Sequence, residues 1–145
     1  MKVVIQRSLN STVEVDKKIV GSISKGLVLL VGFNVNDTMD NLDYMVNKIL
    51  KLRIFDDEEG IMNRSILDTG GEILSISQFT LYAETKKSGN RPSYSKAMKS
   101  NEAVNLYNEF NKRLSQKVNV STGVFGENMK VNICNDGPVT IILEN

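Results

Sequence analysis

The apolar run from Leu27 to Val31 constrains the fold of this chain more than any other stretch. It reads Leu-Val-Leu-Leu-Val without a polar interruption and follows Lys25-Gly26. Because successive side chains of a strand point to opposite faces, a strand with this sequence is apolar on both of them. We therefore predict a strand at residues 27–33 that is buried on both faces and lies at the centre of the core.

Alternating apolar and polar residues between turn residues predict the other strands. These strands are 3–8, 12–15, 19–24, 52–55, 72–82, 118–122, 129–134 and 139–143. Apolar residues at helical spacing predict a helix at 38–52, and a second helical pattern begins at Ser93 and resumes after Ser100-Asn101. Together the elements predict an α+β fold, with a curved, mostly antiparallel sheet or barrel and two or three packed helices.

The length of 145 residues predicts a single domain over residues 1–145. Apolar residues make up 41% of the chain, which is normal for a globular core. The sequence has no apolar run of the roughly 18 residues that a membrane helix needs, and its first residues alternate instead of forming a signal-peptide core. We expect a soluble, cytoplasmic protein with no membrane partner.

Histidine is absent from the sequence, and Cys134 is the only cysteine. This composition excludes Ser-His-Asp and Cys-His catalysis and removes the usual zinc ligands, so we expect no metal site and no cofactor. The apolar neighbours of Cys134 predict a buried thiol. The formal net charge of +1 argues against binding nucleic acid by bulk electrostatics but allows a local basic patch.

The predicted strand at 72–82 changes its apolar phase near Ser77-Gln78, which indicates a bulge or a strand end. Ser77, Gln78 and Thr80 place three polar side chains where the strand should be buried, and buried polar groups need partners. Two interpretations are open at this point. The three side chains form internal hydrogen bonds, or they belong to a functional site.

The stretch Asn135-Asp136-Gly137-Pro138-Val139-Thr140 contains an unusual pair. Proline has no backbone N–H, so Gly-Pro presents two carbonyl oxygens with no donor between them. This arrangement is either a plain turn between the last two predicted strands or a rigid acceptor surface.

Three charged features have a simple interpretation and an alternative. Arg7, inside the first predicted strand, is a solvent-facing charge or one that has a partner elsewhere. The basic loop 85–91 is a solvated loop or a phosphate contact. The acidic run 56–60 is predicted to be a solvated turn, because a calcium loop needs alternating ligands at longer spacing.

Two motifs, Ser77-Gln78-Phe79-Thr80 and Asn135-Asp136-Gly137-Pro138-Val139-Thr140, occur together with further segments that carry a family resemblance. These segments are residues 1–7, Gly26-Leu27 with Val31-Gly32, Lys48-Ile49 with 52–55, Met62-Asn63, Arg91-Pro92-Ser93, and Thr122-Gly123 with Phe125-Gly126. In order and spacing the chain resembles the D-aminoacyl-tRNA deacylase family, the D-Tyr-tRNA deacylases, over essentially its full length.

The resemblance implies a homodimer in which Gly137-Pro138 of each subunit, with a cis peptide bond, enters the pocket of the other. The two carbonyls would face the chiral centre of the substrate, the 3′ end of D-aminoacyl-tRNA, and would collide with the side chain of an L-amino acid. Glycine is achiral, so glycyl-tRNA would pass the same filter. Arg7 would hold the Gly-Pro loop.

For the chemistry, the resemblance implies Ser77, Gln78, Phe79 and Thr80 as the catalytic segment. An aminoacyl ester is already activated, so water attack needs orientation and a stabilised oxyanion, for which the N–H groups of Phe79 and Thr80 are candidates. Gln78 would position the ester, and a ribose hydroxyl of the tRNA would activate the water. Thr80 has no general base near it in sequence and is therefore a poor nucleophile.

The resemblance also implies binding regions for the rest of the substrate. Phe125, Gly126 and Met129 would hold the terminal adenosine, and the loop 86–91 could meet tRNA phosphates. The chain departs from the family pattern at Lys17-Lys18, in the loop before Arg91, and at Glu127-Asn128. Two other hypotheses remain: a nucleic-acid-binding module without catalysis, and a structural dimer that Gly-Pro merely locks.

Overall fold

A five-stranded mixed sheet forms the centre of the fold in the computed structural model, which describes residues 1–86 and 89–145. The strands are β1 (Lys2–Ser8), β2 (Ser11–Val15), β3 (Lys18–Ile23), β4 (Gly26–Gly32), β5 (Phe55–Asp56), β6 (Met62–Arg64), β7 (Glu72–Ser77), β8 (Val120–Thr122), β9 (Lys130–Asn132) and β10 (Asn135–Glu144). The central sheet has the order β10-β1-β4-β7-β8, a second sheet has the order β3-β2-β9, and β5 pairs with β6.

The core lies on both faces of the central sheet. On one face, Leu27 and Leu29 of β4 join the larger apolar cluster, which includes the buried residues of the helices. On the other face, Val28 packs with Val13 and Ile23 of the second sheet. Leu27, Val28 and Leu29 are fully buried, which confirms the prediction of a strand covered on both faces.

The strand directions correct part of the predicted architecture. In the described residues the central sheet is open, with β10 and β8 at its edges, so the barrel alternative is wrong. The pairs β10–β1 and β1–β4 are antiparallel, whereas β4–β7 and β7–β8 are parallel. Both parallel pairs are joined by connections that contain helices, as parallel strands require.

In the part of the chain that the structure describes, three α-helices accompany the sheets: α1 (Met39–Lys51), α2 (Ile66–Thr69) and α3 (Ser100–Ser115). The prediction for α1 is confirmed, and Asn41 Oδ1 accepts hydrogen bonds from the N–H and the hydroxyl of Thr38, both at 2.9 Å. The buried positions of α1 repeat at helical spacing. None of the helices in the described residues is long and apolar enough to cross a membrane.

The helical pattern beginning at Ser93 is wrong for its first part, because α3 starts only at Ser100. Tertiary hydrogen bonds instead hold the preceding segment in an irregular conformation, with a turn at Ser95-Lys96. Ser93 exchanges two backbone hydrogen bonds with Glu84, at 2.7 and 3.1 Å, and Met98 N–H donates to the carbonyl of Phe33 at 2.9 Å.

Three other expectations are corrected. The strand predicted at 52–55 is reduced to β5, and the strand predicted at 72–82 ends at Ser77, where a 3-10 helix (Phe79–Tyr82) follows. The predicted phase change thus marks a strand end. Cys134 is exposed, so the prediction of a buried thiol is wrong. The backbone of Cys134 faces the protein, where its N–H donates to Ser11 Oγ at 3.0 Å, and its side chain points outward.

Candidate active site

A cleft of about 530 Å³ opens at the carboxyl ends of the parallel strands β4 and β7. This is the edge at which sheets with parallel strands usually bind ligands. Most of its lining is apolar; the lining residues are Val31, Phe33, Ile76, Ser77, Gln78, Phe79, Met98, Ser100, Ala103, Phe125, Gly126, Glu127, Met129 and Val131. Such a cleft can hold a largely apolar group and orient it with a few polar contacts.

Six of the ten site residues predicted from the sequence line this cleft. Ser77, Gln78 and Phe79 come from the end of β7 and the start of the 3-10 helix, whereas Phe125, Gly126 and Met129 come from the segment between β8 and β9. The sequence separates the two groups widely, and the parallel pairing of β7 with β8 brings them together.

The segment from Ser77 to Thr80 is held by its backbone. Gln78 N–H donates to the carbonyl of Val31 at 2.7 Å, and Leu81 N–H donates to the carbonyl of Gln78 at 3.3 Å. The close approach of Gln78 requires a glycine opposite it, because a Cβ at Gly32 would lie 2.9 Å from the carbonyl oxygen of Gln78. The carboxyl end of β4 therefore fixes the position of Gln78.

The first two N–H groups of the 3-10 helix, those of Phe79 and Thr80, donate to no acceptor within the described parts of the chain. This is the ordinary state of N–H groups at a helix start, which are available to side chains, water or ligands. Phe79 lines the cleft directly. The arrangement can therefore stabilise negative charge on an oxygen bound near Phe79.

Thr80 does not line the cleft, but its Oγ1 accepts a short hydrogen bond from Gln78 Nε2. The hydroxyl of Thr80 thus orients the amide of Gln78. Glu127, a residue that the sequence analysis did not select, is the one titratable side chain in the described lining of the cleft. It lies at the exposed rim.

Aromatic packing supports both sides of the cleft. Phe125 packs on Tyr107 of α3, with ring centroids 5.6 Å apart, and the Tyr107 hydroxyl donates to the carbonyl of Ser75 at 2.8 Å. Burial raises the pKa of Tyr107, so the phenol stays a neutral donor. On the other side, the rings of Phe79 and Tyr94 make an edge-to-face contact, with centroids 5.0 Å apart, and both rings are exposed.

Gly137 and Pro138 lie at the far end of the sheet from this cleft. They are exposed in a bulge of β10, where residues 136–139 lie opposite Arg7, and their peptide bond is cis, as the resemblance implied. Arg7 pairs with Leu27 of β4, whereas Val31 of the same strand lines the cleft. At about 3.3 Å per residue, the separation along β4 is roughly 13 Å.

Arg7 is buried and paired, which excludes a solvent-facing charge. Its Nη1 donates to the carbonyl of Ile54 at 3.0 Å and to Asp56 Oδ1 at 3.2 Å. Its Nε lies 3.1 Å from Asp136 Oδ2, but this N–H is not aligned for a hydrogen bond, so the contact is an ion pair. Arg7 thereby joins the bulge of β10 to the segment before β5.

Asn135 also holds the bulge, although the sequence analysis gave it no role. Its Nδ2 donates to the carbonyls of Arg7 and Val139, each at 3.0 Å. Its Oδ1 accepts from Thr140 Oγ1 at 3.2 Å and from Gln6 Nε2 at 3.3 Å. The only signal in the sequence was its place at the start of the Gly-Pro stretch.

Two other expectations concern ligands. Residues 1–86 and 89–145 contain no cluster of three or more cysteine, aspartate or glutamate side chains that could hold a metal ion. The basic loop 86–91, expected to meet tRNA phosphates, includes Lys87 and Ser88, which lie outside the described residues.

Comparison with known proteins adds independent findings. A family model described as D-Tyr-tRNA(Tyr) deacylase matches residues 4–144. The solved structure of a "c-Myc DNA Unwinding Element Binding Protein" is 40% identical and superposes with a TM-score of 0.93, over 100% of this chain and 99% of that chain. A structure described as a probable eukaryotic D-amino acid tRNA deacylase has the same fold at 18% identity, with a TM-score of 0.84 over 98% and 97% of the two chains.

Proposed function

The chain belongs to the D-Tyr-tRNA(Tyr) deacylase family, hydrolases of the ester bond of aminoacyl-tRNA, and from this membership we propose how its site selects and cleaves a substrate. The substrate is the 3′ end of D-aminoacyl-tRNA, bound in the cleft of one subunit and checked by Gly137-Pro138 of a second. The observation that carries the proposal is the meeting of Ser77, Gln78 and Phe79 with Phe125 and Met129 in one cleft.

In the proposed reaction a water molecule attacks the ester carbonyl carbon, the bond to the ribose oxygen breaks, and that oxygen takes up a proton. The products are a free D-amino acid and a tRNA with a free 3′ end. The N–H groups of Phe79 and Thr80, which have no acceptor in the described chain, stabilise the developing oxyanion. The neighbouring ribose hydroxyl activates the water, and Gln78 orients the ester.

The terminal adenosine is proposed to bind between Phe125, Gly126 and Met129. An aromatic side chain can stack on any base, and such stacking contributes about 1–3 kcal/mol. Tyr107 fixes the Phe125 ring from behind, at a centroid distance of 5.6 Å. Gly126 adopts a positive φ of 83° with open space at its Cα, so the base can approach the backbone closely.

Chiral selection requires a second copy of the chain, because Gly137 and Pro138 lie at the opposite end of the sheet from the cleft of their own subunit. In the proposed homodimer the carbonyls of Gly137 and Pro138 point at the α-carbon of the substrate. An L-amino acid would press its side chain against them, whereas a D-amino acid or glycine presents a hydrogen. Glycyl-tRNA is therefore a proposed second substrate, and the proposed place of action is the cytoplasm.

The open edge of β10 supports dimerisation through the C-terminal strands. No strand of the described residues pairs with this edge, and Ile142 within it is 65% exposed. Unpaired strand edges readily pair with another chain.

The direct test is release of labelled amino acid from D-Tyr-tRNA and L-Tyr-tRNA by the purified protein, with and without a chelator. We expect rapid hydrolysis of the D-ester alone, unaffected by the chelator. Equal hydrolysis of both esters would remove Gly137-Pro138 as the chiral filter, and hydrolysis of neither would refute the deacylase activity for this chain.

A mixing experiment tests whether the site is shared between subunits. We expect Gly137→Ala and Gln78→Ala each to be nearly inactive alone, because a side chain at Gly137 displaces the carbonyl surface that completes the partner's cleft, and Gln78→Ala removes the residue that orients the ester. After the two variants are unfolded and refolded together, mixed dimers regain one complete site each. Recovery of about a quarter of the wild-type rate is expected if chains pair at random; no recovery would place Gly137 and the cleft in the same subunit.

A second candidate function is nucleic-acid binding without catalysis, which the relative described as a DNA unwinding element binding protein favours at 40% identity. It predicts that the protein binds duplex DNA as tightly as tRNA and releases no amino acid. Fluorescence anisotropy with an A·T-rich duplex and with tRNA, run beside the release assay, separates the two functions.

A further inference from the structure

A second groove, of about 450 Å³, lies on the outer face of α1 and the residues that follow it. Its lining residues are Tyr44, Asn47, Lys48, Lys51, Leu52 and Arg53. The four that belong to α1 have helical spacing and share one face, opposite the buried face that packs on the core. We call this feature the basic groove, after Lys48, Lys51 and Arg53.

The cations of the basic groove form no salt bridge within the described part of the chain. Among the described residues, no carboxylate lies within 4.0 Å of Lys48, Lys51 or Arg53. Asp43, which shares α1 with the two lysines, is paired with Arg113. Arg53 Nε donates to the carbonyl of Asn63 at 2.9 Å, which leaves its terminal guanidinium nitrogens available.

The basic groove lies on the side of the subunit that carries Gly137-Pro138. Arg53 directly precedes Ile54, whose carbonyl accepts the Arg7 hydrogen bond at 3.0 Å. The guanidinium of Arg7 also lies beside Gly137, because a Cβ at Gly137 would be 3.2 Å from Arg7 Nη2. If Gly137 of one subunit enters the cleft of another, the basic groove of the first subunit comes to lie beside that cleft.

The cleft itself cannot neutralise the phosphates of a tRNA. Its described lining contains no lysine or arginine, and its one charged side chain is Glu127. Binding of a nucleic acid normally depends on cations that displace counterions from its phosphates. These cations must therefore be supplied outside the cleft.

We propose that the basic groove binds the sugar–phosphate backbone of the tRNA whose 3′ end occupies the cleft of the partner subunit. The inference rests on the proposed deacylase function and its dimer. Lys48 and Lys51 contact phosphates as point charges, Arg53 adds a planar donor, and the Tyr44 ring, 53% exposed, covers the sugar–phosphate chain. In the dimer, one subunit thus binds the backbone of the tRNA, and the cleft of the other subunit cleaves the ester at the 3′ end of the same tRNA.

The first test compares Lys48→Ala/Lys51→Ala with Lys112→Ala/Lys117→Ala, which removes two exposed lysines, one in the last turn of α3 and one just after the helix. For D-Tyr-tRNA we expect the groove variant to raise KM about tenfold. The slope of log(1/KM) against the logarithm of the salt concentration should become shallower by roughly two, because two phosphate contacts are lost. Hydrolysis of 3′-D-tyrosyl-adenosine, which has no phosphates, should be unchanged in both variants.

The outcomes separate the inference from the function on which it rests. A KM equal to that of the control would overturn the groove assignment and leave the deacylase activity intact, as would equal loss on the adenosine ester. If the wild type cleaves neither substrate, the proposed function fails, but fluorescence anisotropy with uncharged tRNA still tests whether the basic groove binds tRNA. Unweakened tRNA binding by Lys48→Ala/Lys51→Ala would then overturn the groove assignment.

The second test asks which subunit the basic groove serves. Lys48→Ala/Lys51→Ala is refolded together with Gln78→Ala, so that the intact cleft of a mixed dimer faces the intact groove of the other chain. We expect mixed dimers to cleave D-Tyr-tRNA with wild-type KM. A KM that stays raised would show that the groove acts on the cleft of its own subunit and would overturn the trans arrangement.

Discussion

At the scale of single residues, Gly137 is a position at which the structure does not tolerate a side chain. It has a φ of +116°, and a Cβ would lie 2.8 Å from Val139 Cγ2 and 3.0 Å from Val139 N. Both the conformation and the contacts oppose any residue larger than glycine. The two carbonyls of the Gly-Pro pair are aimed by this one residue.

Gly137→Ala should therefore lower deacylation of D-Tyr-tRNA at least tenfold while the melting temperature falls by only a few degrees, because the bulge is exposed. The matched control is Gly60→Ala, which also has positive φ but has nothing within 4 Å of its Cβ position. Steady-state rates and thermal melts of the two variants measure the effect. Full activity of Gly137→Ala on the D-ester, with the L-ester still rejected, would contradict the filter.

Asn135→Asp should disturb the same bulge through its hydrogen bonds. The change replaces an N–H donor by an oxygen that faces the carbonyls of Arg7 and Val139, each now at 3.0 Å. Loss of two satisfied contacts should cost about 1–3 kcal/mol and lower activity severalfold. Asn132→Asp is the control, since its amide makes a single exposed contact at 3.3 Å with Thr12; an equal effect of both changes would remove the special role of Asn135.

Thr80→Ala should keep activity within about tenfold of the wild type, because the hydroxyl orients Gln78 and is not proposed to attack the ester. Thr80→Ser, which retains the hydroxyl, should be nearly normal. Single-turnover rates of the two variants test this. Complete inactivity of a folded Thr80→Ala would identify Thr80 as a catalytic group.

At the scale of elements, the sequence was informative wherever burial alone determines the pattern. The apolar run of β4 and the helical repeat of α1 identify both elements within a residue or two, since each is specified by its own side chains. Residues 93–99 contain the same kind of apolar spacing, yet they form an irregular segment with one turn. Apart from the bond within this turn and the first bonds of α3, their backbone hydrogen bonds go to Glu84, Phe33 and Val35, and local propensity cannot report such partners.

The connection between α3 and β7 gives a stability prediction. Tyr107 donates to the carbonyl of Ser75 at 2.8 Å and is 3% exposed. Tyr107→Phe should therefore lower the free energy of unfolding by about 1 kcal/mol and the melting temperature by roughly 3 °C. Tyr44→Phe, at an exposed ring, should change neither; thermal melts compare them, and equal stability of the two variants would show that the buried hydrogen bond contributes nothing.

At the scale of the whole molecule, the absence of histidine shapes the dependence of stability on pH. Hydrogen bonds from Ser24 lower the pKa of Glu72, so this carboxylate stabilises the folded state above its unfolded pKa and the contribution is lost as the pH falls below about 4.5. Burial raises the pKa of Tyr82, so its contribution is complete below about pH 10 and is lost above it.

Denaturant titrations should therefore give a plateau between about pH 5.5 and 9, with stability falling on both sides. Tyr82→Phe should weaken the fall above pH 10, because it removes the phenol that must ionise. A step between pH 6 and 7, where histidine would titrate, would contradict this prediction.

The candidate site shows why the whole molecule was harder to predict than its elements. The polar phase change already indicated Ser77 and Gln78, and the resemblance added Phe79 and Phe125. The meeting of these residues depends on the parallel pairing of β7 with β8. Nothing in the spacing of the residues specifies that pairing. The role of Asn135 and the place of Glu127 in the cleft lining were missed for the same reason, since both follow from tertiary neighbours.

The separation of Gly137 from the cleft of its own subunit has a genetic consequence in the proposed dimer. A chain with a damaged Gly-Pro pair inactivates the site in the cleft of its partner. The site in its own cleft stays active when the partner supplies an intact Gly137-Pro138. When normal and damaged alleles are expressed together, every mixed dimer retains one working site. A mutation at Gly137 should therefore reduce activity in proportion to the share of mutant chains and should not be dominant-negative.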